Sequence, residues 1–107
     1  MSNTKKTLSK SVKDAANDAG TAIRNASKDV KTSVQNTANS VANEANKAAN
    51  NAKAKGGNIF DKAGAAIKNT VNDARTSSAN AANTAKNEAE KADNKLKNEA
   101  RKAARNN

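Results

Sequence analysis

A chain of 107 residues with 20 Lys and Arg against 10 Asp and Glu carries a formal charge of +10, and Leu, Ile, Val and Phe together supply only eleven side chains. That is about a tenth of the chain, below the roughly one-fifth under which charged sequences stay disordered, which excludes a domain held together by a large apolar core. With no His, Cys, Tyr or Trp and the ten acids spread along solvated borders, acid-base, thiol and zinc chemistry have no positioned carriers, and the expectation is a non-enzyme without cofactor, metal or small-molecule substrate.

Residues 1–10 form a basic N-terminal segment, with Lys5, Lys6 and Lys10 and no acid. Extended to Lys13, the segment has a faint similarity to an organelle transit peptide, although it lacks arginine. No apolar run reaches the length of a signal core or a membrane span, so a cytoplasmic location is expected, with organelle targeting left open.

From Ser11 the chain reads in gapless elevens: SVKDAANDAGT, AIRNASKDVKT, SVQNTANSVAN and EANKAANNAKA make up residues 11–54. Positions two, five and nine of each unit hold mainly Ala, Val, Ile, Thr or Leu. Three helical turns in eleven residues keep these positions on one face, so the pattern predicts an amphipathic helix. Leu8, Val12, Ile23, Val30, Val34, Val41, Ile67 and Leu96 form its apolar stripe, the candidate surface-binding site. Abundant Ala and the absence of Pro permit a long helix. The 19 Asn residues weaken it, so helicity should be marginal in free solution.

A break is expected at residues 55–58. The pair Gly56-Gly57 raises the cost of helix by ~2 kcal/mol relative to Ala, and Asn58 with Asp61 can form a capping box over the next helix, as Ser11 with Asp14 could earlier. Helices are therefore predicted over residues 8–54 and 59–104. The eleven-residue register runs unbroken through the glycine hinge, which leaves one long hinged helix and two helices joined by a turn both open. In the second block, residues 59–107, positions 64–94 repeat positions 20–50 at 16 of 31 sites. This offset is four whole elevens, so duplication kept the face. The fold class expected is all-α: one long or two hinged amphipathic helices, disordered when free and folded conditionally.

Charge flanks the stripe unevenly. One border carries Lys13, Arg24, Lys31, Lys53, Lys68, Arg75, Lys86, Lys97 and Arg101; the other carries Asp18, Asp29, Glu44, Asp73, Glu88 and Glu99. Helices pairing through the stripe would set basic against basic if antiparallel and basic against acidic if parallel, so a tight monomeric hairpin is disfavoured and parallel self-association is left open. The positive charge points to anionic partners, an anionic membrane or lipid surface first and non-specifically bound nucleic acid as the alternative. No groove-reading motif is present, and Phe60 is the only aromatic on which a base could stack.

Gapless, alanine-rich elevens such as AIKNTVNDART and EAEKADNKLKN resemble the late embryogenesis abundant proteins of the eleven-mer class, over about nine tenths of the chain. That resemblance implies disorder in dilute solution, helix on drying or beside lipid, and protection of membranes and proteins under water stress. The periodicity is similar to the lipid-binding repeats of perilipins, apolipoproteins and synucleins, which would make lipid the main target. The chain departs from the stress-protein pattern in its Asn content and net positive charge. A third reading, an ice-binding alanine-rich helix, rests on Thr21, Thr32 and Thr76 sharing one position of the eleven, a row interrupted by Asn43, Ala54, Ala65, Asn87 and Asn98.

Overall fold

The structure, a computed structural model, describes residues 2–106, with side chains over 7–106. Two helices, α1 (Ser2–Ala54) and α2 (Ile59–Asn106), account for nearly all of it, and no strand occurs among the described residues. The chain is all-α because nothing interrupts helix except the glycine pair: proline is absent, and alanine is the commonest residue. No helix among the described residues is long and apolar enough to cross a membrane.

α1 starts upstream of the expected residue 8, so Ser11 lies inside the helix and the Ser11–Asp14 capping box does not form. Nothing between residues 2 and 11 stops a helix, and Asp14 is instead engaged by Arg105 and Asn106 of α2. The second cap forms as its residue types require. The Asn58 side chain accepts from the backbone N–H groups of Phe60 and Asp61 at 3.0 Å, and the Asp61 carboxylate accepts from the Asn58 N–H at 3.1 Å. A turn closed by the Gly57 N–H on the Ala54 carbonyl at 2.9 Å connects the helices. Asn58→Ala removes the acceptor for two otherwise unsatisfied N–H groups and should lower helix stability by about 1 kcal/mol. The change would be read as a reduced helix signal in a trifluoroethanol titration.

The chain divides into two compact units: Thr32–Ala85, and Met1–Lys31 with Lys86–Asn107. In each, a stretch of α1 lies antiparallel to a stretch of α2. Within the first, Asn50 pairs with Asn69 at 3.0 Å, Asn39 with Asn80 at 3.1 Å and Asn36 with Asn83 at 3.1 Å. Within the second, Asn25 pairs with Asn94 at 2.9 Å and Asp14 with Arg105. Each step forward along α1 is matched by an equal step back along α2. Residues 55–58 thus make a turn between antiparallel helices, which decides against the hinged continuous helix in this chain.

An antiparallel pair contradicts the expectation that such a hairpin is disfavoured. That expectation took the apolar stripe as the contact face, where like borders would meet. Contact is instead made through positions four, seven and eleven of the repeat. At about 98° per residue, these lie nearly opposite positions two, five and nine, so the two helices meet through polar side chains that pair with each other, and Glu90 lies among the basic residues Lys28, Lys31 and Lys86 of that flank. The interior is correspondingly unusual. Its buried apolar residues are Ala54 and Ala65, its buried polar residues include Thr21, Asn25, Asn43, Asn87 and Asn98, and no large side chain is fully buried among the described residues.

Candidate functional site

The expected stripe is a solvent-facing surface. Leu8, Val12, Ile23, Val30, Val34, Val41, Ile67 and Leu96 are all between 61% and 70% exposed. The basic border, Lys13, Arg24, Lys31, Lys53, Lys68, Arg75, Lys86, Lys97 and Arg101, is exposed as well. Lys97 is engaged by Asp93 of its own helix at 2.8 Å. Gly56 is exposed and Gly57 half-buried, both in the turn. Two further apolar residues, Ile59 and Phe60, stand beside that turn at 77% and 81% exposure. They lie in the first turn of α2, where no partner face covers them.

A long solvated row of Val, Ile and Leu persists because the helices are joined by other chemistry. Asn carries one amide donor group and one carbonyl acceptor on a short side chain, so two asparagines on facing helices can satisfy each other. This is what Asn36 and Asn39 do with Asn80 and Asn83. Alanine and threonine at the eleventh position let the backbones approach. The threonine row noted for ice binding therefore lies along this seam, with Thr21 buried and Thr32 and Thr76 half-buried.

A second element, not read from the sequence as a unit, recurs three times. The segments Asn43-Glu44-Ala45-Asn46-Lys47, Asn87-Glu88-Ala89-Glu90-Lys91 and Asn98-Glu99-Ala100-Arg101-Lys102 share Asn, Glu, Ala and Lys at fixed positions. Each closes on one aspartate of the facing helix. Asn43 and Lys47 hold Asp73 at 2.8 and 3.1 Å; Asn87 and Lys91 hold Asp29 at 2.8 and 2.9 Å; Asn98 and Lys102 hold Asp18 at 2.8 and 3.1 Å. The Glu of each segment contacts its own Lys, as Glu44 does Lys47 at 3.2 Å. A fourth bridge, Lys28 to Glu90 at 2.7 Å, lies in the unit that holds Asp18 and Asp29. The signal in the sequence was the repeated Asn-Glu-Ala-x-Lys, visible only once the duplicated acids are read as receptors and not as a free border.

These contacts shift the titration of both partners. Hydrogen bonds from Asn98 and then Lys102 hold the Asp18 carboxyl below the usual aspartate range; Lys91 and then Asn87 do so for Asp29, and Asn43 and then Lys47 for Asp73. Lys47, Lys91 and Lys102 are raised, chiefly by Asp73, Asp29 and Asp18. For a lowered acid, the stabilisation is complete above its unfolded pKa and is lost as pH falls through the folded one; for a raised lysine it is complete below the unfolded pKa and lost as pH rises through the folded one. Helix content in a little trifluoroethanol should hence be flat across neutral pH, fall below about pH 4, and fall again above about pH 10.5. A circular dichroism titration checks both edges.

The seam is polar enough to be weak. Asn17 Nδ2, Thr21 Oγ1, Asn43 Oδ1 and Asn98 Oδ1 are buried without a hydrogen-bond partner, each at a cost of ~1–3 kcal/mol, comparable with the ~1 kcal/mol that a made hydrogen bond contributes in water. The groups present suit reversible pairing of two surfaces. Among the described residues no cluster of acidic side chains is arranged to hold a metal ion.

No family model, curated protein or solved structure matches the chain.

Proposed function

We propose that the chain is a non-enzymatic, surface-coating helical protein of the stress-protective kind, folding conditionally and laying its eleven-residue apolar stripe, with the adjoining basic border, on an anionic lipid surface. The observation that carries this reading is the inversion of the hairpin: Ile23 and Ile67 are 68% and 66% exposed while asparagines occupy the contact between helices. A helix whose apolar face is already outward meets a bilayer without first unpacking a core. The lysines and arginines beside the stripe add attraction to anionic headgroups.

Conditional folding follows from the same arrangement. No large side chain is fully buried among the described residues, so closure rests on side-chain hydrogen bonds that water competes for. Removing water raises the worth of each toward the ~4–6 kcal/mol it has in an apolar medium, and burial of the stripe in lipid supplies what the interior lacks.

The test is co-sedimentation with vesicles of phosphatidylcholine alone, the same vesicles containing phosphatidylserine, and duplex DNA, each at several salt concentrations, with circular dichroism in parallel. The expected result is coil in dilute buffer, helix and binding on anionic vesicles, and residual binding there in high salt. Binding to DNA alone, lost steeply with salt, would instead support a phosphate-gripping protein that uses the exposed basic border.

A further inference from the structure

The seam that closes this chain on itself is also complementary to a second copy of the chain, and the turn is where the two alternatives divide. Along the seam of the unit Thr32–Ala85, each advance on α1 is matched by an equal retreat on α2: Asn39 with Asn80, Asn50 with Asn69 eleven residues on, then, four residues on, the level shared by the buried Ala54 and Ala65. One more step in the same spacing reaches Asn58 and Asp61. The eleven-residue register passes through residues 55–58 without insertion or deletion, so a continuous helix would carry Ala54, Asn58, Asp61 and Ala65 on the face that carries the rest of the seam.

We infer that a second copy of this chain can replace the chain's own facing helix, giving an antiparallel dimer of two continuous helices related by a two-fold axis between residues 59 and 60. Asn58 of each copy then lies level with Asp61 of the other, and every pair made within one chain is remade between chains. Such self-complementarity is what a two-fold interface requires. Asn58 and Asp61 are already partners in the hairpin, where they cap α2 within one chain; in the dimer the two residues exchange that local bond for one across the axis.

Gly57 is what holds the balance toward the hairpin. Neither glycine has a positive φ, so their role is not a left-handed backbone. A Cβ at Gly57 would stand 2.6 Å from the Asp61 Cβ and 2.9 Å from its Cγ, whereas one at Gly56 would meet nothing within 4 Å. Alanine at 57 therefore strikes the cap and the turn while favouring helix; alanine at 56 fits the turn as it stands.

The experiment compares wild type, Gly56→Ala and Gly57→Ala by sedimentation equilibrium. It mixes chains carrying a donor dye on Ser33→Cys with chains carrying an acceptor on Ala85→Cys, both positions exposed. The expected result is that Gly57→Ala sediments as two chains, with a dimer fraction at least tenfold above wild type and energy transfer between copies, while Gly56→Ala stays close to wild type. A parallel pair in register would keep these dyes roughly 80 Å apart along the helix, so transfer distinguishes the two dimers. Wild type refolded from denaturant at high concentration should show the same transfer, decaying on dilution. A monomeric, helical Gly57→Ala, or a dimer of it without transfer, would overturn the exchange. Should Gly57→Ala lose its helix signal, the refolded wild type decides: transfer supports the exchange, and its absence overturns it.

Discussion

The triple variant Ile23→Ser, Val34→Ser, Ile67→Ser is expected to lose binding to anionic vesicles at every salt concentration. All three side chains are exposed in the stripe, and none contributes to the contact between helices, so the substitutions leave the seam intact. Each buries up to ~2 kcal/mol of apolar surface when inserted among acyl chains. Removing three costs several kcal/mol, or at least a hundredfold in partitioning. The companion variant Lys31→Gln, Lys53→Gln, Arg75→Gln, Lys86→Gln keeps the stripe and should still bind in high salt, losing affinity only when salt is low. Normal vesicle binding by the serine variant would refute the coat, whatever the helix content. On DNA the roles reverse: the glutamine variant flattens the salt dependence by several counterions, while the serine variant binds almost as wild type does.

Leucine in place of Asn36, Asn39, Asn80 and Asn83 should give a hairpin that stays folded in dilute buffer. These four residues form two adjacent layers of the seam, hydrogen-bonded across it at 3.1 Å, and each is half-buried. A half-buried leucine gains about half of the 1.5–2 kcal/mol of a fully buried one, so four of them add roughly 3 kcal/mol, a large fraction of the stability of a small domain. The variant should be fully helical in dilute buffer and melt cooperatively, and vesicles should no longer raise its helix signal. A wild-type-like coil signal in the leucine variant would mean that these layers do not face each other. The reason evolution would keep asparagine is contained in the same numbers: a seam that closes weakly in water remains able to open or exchange.

Much of the helix architecture was legible in residue types alone. The eleven-residue period, the absence of proline, the break at Gly56-Gly57 and the cap at Asn58 and Asp61 are local properties, and local properties fix where a helix ends. α1 ends at Ala54 and α2 begins at Ile59 because backbone propensity and a two-residue cap need no distant partner. The start of α1 was less legible, since a capping box at Ser11 is only an option when nothing upstream prevents helix. What only the tertiary structure decided is which face turns inward. Val12, Ile23 and Val34 read as an interior by the usual rule, yet the stripe is narrow and mostly alanine, so burying it offers little apolar area. The opposite face offered Asn against Asn and three Asn-Glu-Ala-x-Lys segments against Asp18, Asp29 and Asp73, contacts whose value depends on both helices being present in one register. Hydrophobic periodicity locates an apolar face from one helix by itself; complementarity between polar side chains exists only between two.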